Sequence, residues 1–170
     1  TKAWGEVAFS DEDLNTFSTA DDGNNTGAAV RVGASHAIRL AANDTAKLLV
    51  LSTDNEWRSR RLAVVERYRP VEFERDWNVG NVAMDGDQVL AGATAGFVNG
   101  KQGRVDLAAS LLHIDGRYDG FRQTLVGKMR LGRFDAAVDA SLLQAAAGRA
   151  VQRARAARGR GLGLASAQWP

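Results

Sequence analysis

Cysteine is absent from this 170-residue chain. That excludes disulfides, thiolate metal sites and thiol nucleophiles, and it leaves the redox compartment undetermined. Histidine occurs only twice, as His36 and His113. Each sits alone in its run with no second ligand at metal-binding spacing, so no zinc centre is expected. No apolar run approaches the roughly 18 residues of a membrane-spanning helix, and the opening stretch TKAWGEVAFS has no signal-peptide pattern. A β-strand crosses a bilayer in about 9–11 residues, so these two absences leave a membrane barrel open. Acid is missing from one region. Residues 149 to 170 hold Arg149, Arg153, Arg155, Arg158 and Arg160 with no Asp or Glu, whereas residues 1 to 148 hold 17 Lys and Arg against 20 Asp and Glu, a balance of 17 − 20 = −3. The basic isoelectric point therefore belongs to the tail. A nucleic-acid-binding body would carry its own basic stripe, and no specific nucleic-acid partner is expected.

What is present has a period of two. A length of 170 residues and a hydrophobic content of 45% suit one folded domain with a real core. In FDAAVDASLL, Phe134, Ala136, Val138, Ala140 and Leu142 share one face while Asp135, Ala137, Asp139 and Ser141 share the other. The runs at 28–40, 105–111 and 124–131 repeat the alternation. Asp22-Gly23, Asn99-Gly100, Asp115-Gly116 and Asp119-Gly120 are dipeptides that tolerate tight turns, and Gly132-Arg133 suits a two-residue hairpin. Alternating runs broken by such turns predict an all-β antiparallel meander, forming a barrel-like or sandwich sheet, over residues 1 to 143. The expected strands are 3–10, 28–40, 46–53, 59–75, 88–98, 104–114, 121–131 and 134–143.

Residues 144 to 170 depart from this pattern. SLLQAAAGRAVQRARAARGRG is rich in the helix formers Ala, Arg and Gln, which predicts a short basic helix from about 143 to 158 or a disordered tail. The compositional shift suggests sequence unrelated to the body, such as a GC-rich stretch read in another frame. The tail's arginines could touch anionic lipid or nucleic acid, or form a solvated basic helix.

One face of the body carries Ala, Val, Leu and Gly, and the other carries Arg31, Arg39, Asp106, Lys128, Arg130, Asp135 and Asp139 in mid-strand. A soluble sandwich and a membrane barrel both produce this alternation, and period alone does not separate them. Two stretches go further. WGEVAFSDEDLNTFSTADDGNNTGAA (4–29) and RYRPVEFERDWN (67–78) resemble a family of large outer-membrane β-barrel proteins from Bacteroidetes-type bacteria. The family's barrel strands carry a similar acidic S-x-x-D-x-N-T-F-S loop and a V-E-F-x-R-D-W-N strand. The resemblance runs from about residue 4 to about residue 143. It implies a bacterial outer-membrane or extracellular location and a structural or transport role, and it carries no catalytic residues. The stretch is too short to close a large barrel, so it is expected to adopt another form or to assemble with copies of itself through sheet edges.

The charged motif RYRPVEFERDWN has two readings. As a strand it places Glu72, Glu74 and Asp76 on one face and Arg69, Val71, Phe73, Arg75 and Trp77 on the other. Same-face neighbours lie roughly 6–7 Å apart, so Glu72 and Glu74 have the separation of an acid and base pair for glycoside hydrolysis. The other reading is an acidic row ion-paired across strands to Arg31, Arg39 or Arg130. Pro70 suggests a sheet edge or a bulge. The second cluster, SDEDLNTFSTADDGNNTG, offers Asp11, Asp13, Asp21 and Asp22 as hard oxygen ligands beside a glycine turn. Calcium takes six to eight such oxygens. The alternative is a solvated loop of Asx-turns.

Other combinations carry less. Ser110, His113 and Asp115 lack a G-x-S-x-G elbow and share one strand, and GRGLGL lacks a preceding strand and a K-[ST]. Trp4, Trp57, Trp77 and Trp169 suit packing, a sugar platform or an interfacial aromatic belt. The leading expectation is a non-catalytic outer-membrane barrel-like protein whose partner is a lipid bilayer. The alternative is a secreted β-sandwich that binds a polysaccharide surface and calcium, or hydrolyses a glycan through Glu72 and Glu74. No cofactor is expected beyond that calcium.

Overall fold

The computed structural model describes residues 1–12, 25–41, 44–64, 69–100 and 102–147. They form seven strands: β1 (Lys2–Asp11), β2 (Thr26–Ala41), β3 (Asp44–Arg58), β4 (Gln88–Asn99), β5 (Gly103–Ile114), β6 (Tyr118–Leu131) and β7 (Phe134–Ala147). Each strand pairs antiparallel with the next, giving one sheet in the order β1-β2-β3-β4-β5-β6-β7. The sheet is open, with β1 and β7 as its edges. The antiparallel meander predicted by the alternation is therefore the observed fold.

Turn chemistry sets the short connections. Gly132-Arg133 joins β6 to β7 as a two-residue hairpin, with Gly132 at a φ of 66°. Only glycine adopts that backbone without penalty. Asp115, Gly116 and Arg117 link β5 to β6, closed by the Arg117 amide donating to the Ile114 carbonyl at 2.9 Å. The Asn99-Gly100 turn after β4 is closed by Gln102 N–H donating to the Asn99 carbonyl at 2.7 Å.

Four expectations change. Residues 59–75 contain no strand among their described positions; they belong to a long connection between β3 and β4, with a single helical turn, α1 (Phe73–Asp76). Asp119-Gly120 is not a turn but lies inside β6, which begins at Tyr118. Gly120 is there because a Cβ would meet the Tyr118 ring at 2.6 Å. β3 runs on to Arg58 rather than stopping near 53. β7 runs to Ala147, so residues 143–147 are strand where helix was predicted. Ladder hydrogen bonds to β6 override the helix preference of Ala there. The rest of the predicted tail helix, 148–158, lies outside the described residues, as does Asp22-Gly23.

Register assigns each paired strand residue to a face, because antiparallel Cα partners project to the same side. One face bears Lys2 and Glu6 of β1, Arg31 and Arg39 of β2, Asp54, Glu56 and Arg58 of β3, Arg104 and Asp106 of β5, Arg122, Lys128 and Arg130 of β6, and Asp135 and Asp139 of β7. The other face bears only three charged carboxylate or ammonium groups among the described strand residues, Asp11, Lys47 and Asp119, and all three lie near strand ends. Between those ends it is mostly Val, Leu, Ile, Ala and aromatics, with His36, Thr53, Asn55, Gln123 and Gln144 as polar side chains among them.

Candidate functional site

The apolar face is the first element. Val7, Phe9, Val30, Val32, Ile38, Leu51, Trp57, Leu107, Leu111, Phe121, Phe134 and Val138 all lie on it and all are exposed. Apolar runs extend from Val89 to Phe97 and from Phe134 to Leu142, while the run from Val30 to Ile38 is interrupted by His36 and that from Leu49 to Trp57 by Thr53 and Asn55. At about 3.4 Å per residue each run is roughly 27 Å long, close to the ~25 Å apolar band of membrane barrels. Its aromatics lie toward the two ends: Phe9, Trp57 and Phe121 at one, Phe97 and Phe134 at the other. Polar side chains within the band partly satisfy one another locally. Thr53 Oγ1 donates to the Gly92 carbonyl at 2.9 Å, and Asn55 Nδ2 donates to Thr53 Oγ1 at 2.8 Å. Gln123 and Gln144 also fall on this face. At the strand ends, His113 Nδ1 meets Asp119 Oδ1.

The second element is the connection between β3 and β4, residues 59–87, which crosses the polar face at one end of the sheet. It forms a strap. Its first part is held by the Ser59 amide donating to the Ala28 carbonyl of β2 and the Ala63 amide donating to Ser10 Oγ of β1, both at 2.9 Å. Its later part returns across β3 to β7. Phe73, Trp77 and Val79 from the strap are buried with Leu112 and Ile114 of β5 and Tyr118 of β6, with Leu90 of β4 and Leu143 of β7 packed against them. All the fully apolar burial among the described residues is in this cluster, on the face that is otherwise charged.

Local chemistry explains the strap's shape. The Pro70 carbonyl accepts from the Phe73 amide at 3.0 Å, starting a turn that α1 continues. Phe73 and Trp77 stand four residues apart, so one helical turn puts both on the sheet side. Their ring centroids are 6.4 Å apart. Asn78, at a φ of 52°, ends the turn, and asparagine tolerates this left-handed backbone better than most residues.

Polar anchors fix the strap. Arg69 donates to Glu56 Oε1 at 2.8 Å and to Gln88 Oε1 at 2.7 Å, and its guanidinium lies 4.4 Å from the Phe73 ring centroid. Both partners of the Arg69–Glu56 pair are nine-tenths buried. Gln88 in turn donates to the Met84 carbonyl at 2.9 Å. The Tyr118 hydroxyl donates to the Trp77 carbonyl, and Arg122 donates to Asp76 at 2.9 Å and to Ser141 at 3.1 Å. Removing one partner of a buried pair of this kind takes away part of what compensates the other's charge, and is costly.

The residues singled out from sequence fall as follows. Glu72 is at the start of α1, exposed, and paired with Arg75 at 2.8 Å. Glu74 is in α1 and exposed. They occupy a helical turn rather than a strand face, so the same-face spacing that suggested an acid and base pair does not apply. The proposed cross-strand partners also differ: Arg31 pairs with Asp54 at 2.9 Å and Arg130 with Asp135 at 2.9 Å. Asp11 is exposed at the end of β1; Asp13, Asp21 and Asp22 lie outside the described residues. Among the described residues no group of three or more His, Asp or Glu is placed to hold a metal ion. Ser110 and His113 project to opposite faces of β5, which separates them. Arg69, Glu56, Gln88, Tyr118 and Arg122 were not singled out. The signal for them was the Phe73/Trp77 spacing after Pro70, which marks a helical turn inside an apparent strand.

Among the described residues no helix is long and apolar enough to cross a membrane, which says nothing about strands. Comparison with protein-family models, curated proteins and solved structures finds no match.

Proposed function

We propose that this chain forms part of the wall of a bacterial outer-membrane β-barrel, with a structural or transport role and no catalysis. Its apolar face meets lipid and its charged face meets water. One observation carries the reading: charge is segregated to one side of a seven-stranded sheet, while an apolar band on the other side lies exposed. Contiguous exposed apolar surface beyond a few hundred Å² marks a protein or membrane contact. Strands of 10 to 16 residues are long enough to span the hydrocarbon core. The aromatics toward both ends of the band suit the two membrane–water interfaces.

Seven alternating strands leave β1 and β7 running in the same direction. An all-antiparallel barrel has an even strand number, so closure takes an odd number of further strands, whichever polypeptide supplies them. The strap would then occupy the water-filled interior at one end of this wall.

The test is solubility and partition. The purified chain should aggregate without detergent, become monodisperse in detergent, and float with lipid vesicles in a density gradient. A chain that stays monodisperse in plain buffer and remains in the aqueous fraction would contradict the reading.

A further inference from the structure

Beyond the strap, register brings Trp4, Gly33, Asp54, Gly92 and Ser110 into one row of the polar face, and Ser35, Ser52 and Thr94 into the next. All of these except Gly33 line a groove of about 300 Å³, at the lower end of the range for small-molecule sites. Trp4 lies down against β2. A Cβ on Gly33 would stand 2.5 Å from indole Cε2, so glycine is what allows the ring this position. Trp4 as a whole residue is 45% exposed. Arg31 donates to both Asp54 oxygens, at 3.0 and 2.9 Å, and its guanidinium carbon lies over the Trp4 ring, 5.2 Å from the centroid.

We infer that this groove is a subsite for a neutral pyranose unit of an oligosaccharide. A pyranose presents an apolar C–H face and a rim of hydroxyls. The flat, electron-rich indole suits the first. Hydroxyls of Ser35, Ser52, Thr94 and Ser110, each able to donate and accept, suit the second. The floor of glycine and serine leaves room for a ring to approach the sheet. Neutral sugar fits better than a uronate because the charge of Arg31 is already balanced by Asp54 in a two-pronged pair. The inference rests on the barrel-wall reading only for the side of the sheet it uses, the water side.

The test is titration of the detergent-solubilised chain with maltohexaose, cellohexaose and an oligogalacturonate, following tryptophan emission and calorimetric heat. One neutral hexaose should produce a saturable change at millimolar concentration. Trp4→Ala should weaken binding about tenfold or more, the effect of losing one stacking surface. Ser52→Val should weaken it by several fold while leaving the melting temperature near the parent value, which separates lost contacts from lost folding. No saturable response to either neutral hexaose, equal binding by Trp4→Ala, or preference for the oligogalacturonate would each overturn the inference. Vesicle flotation of the same samples separates the two proposals. A chain that floats but binds no sugar loses the subsite and keeps the wall; one that binds sugar but does not float does the opposite.

Discussion

The two faces of the sheet share the same seven strands yet have opposite relations to burial. The charged face carries the strap and holds the buried core, Phe73, Trp77, Val79, Leu112, Ile114 and Tyr118. The apolar face carries exposed Val, Leu, Phe and Trp side chains along its length. In a water-soluble sandwich the assignment is reversed, with the apolar face covered and the charged face open. Here the strap brings its own apolar residues to one end of a polar surface, and the large apolar surface is left exposed. The difference teaches that alternation along a strand reports two environments without naming them; what packs on each face does the naming.

Substitutions can break or sharpen this contrast. The largest effects belong under the strap. Phe73→Ala should cost about 3–5 kcal/mol, from lost burial and the cavity left behind. Arg69→Met should cost about 3 kcal/mol by removing an ion-pair partner of buried Glu56, and Arg69→Met with Glu56→Leu should recover most of it. Urea midpoints in detergent, read by tryptophan emission and by circular dichroism, check both. If the double variant is no better than the single, the cost lies in packing rather than in buried charge.

Next comes the band. Leu107→Arg puts a charge on the apolar face and should cost roughly 2–4 kcal/mol in a bilayer. Ala108→Arg, one residue along and on the charged face, should change stability by no more than about 0.5 kcal/mol. Folding equilibria in vesicles check the pair, and equal costs would erase the distinction between faces. Tyr118→Phe should cost about 1–2 kcal/mol by leaving the Trp77 carbonyl without its donor. Arg130→Ala, which removes an exposed pair with Asp135, should fall within about 0.5 kcal/mol.

Much of the fold was legible in the chain. Phe134, Ala136, Val138 and Leu142 alternate with Asp135, Asp139 and Ser141, and they do face opposite sides. The strap was not legible, because Arg69, Val71, Phe73, Arg75 and Trp77 satisfy a period of two while Phe73 and Trp77 also satisfy a spacing of four. Which period wins is decided by a distant pocket, since Leu112, Ile114 and Tyr118 offer burial only to the helical arrangement. The end of β7 misled for a related reason: Ala145, Ala146 and Ala147 prefer helix alone, and pairing with Gly120, Asp119 and Tyr118 holds them extended. The Trp4 groove was half visible. Its tryptophan stands out in the sequence, but the serines come from β2, β3 and β5, which only the register brings together.

The most direct test uses the absence of cysteine. A single nitroxide placed through Leu107→Cys, and another through Ala108→Cys, reports each face without a background thiol. In lipid vesicles the label at 107 should collide readily with oxygen, which concentrates in the hydrocarbon, and poorly with a water-soluble nickel chelate. The label at 108 should show the reverse order. Matching accessibility at the two positions, or easy access of the nickel chelate to 107, would contradict a sheet that parts lipid from water.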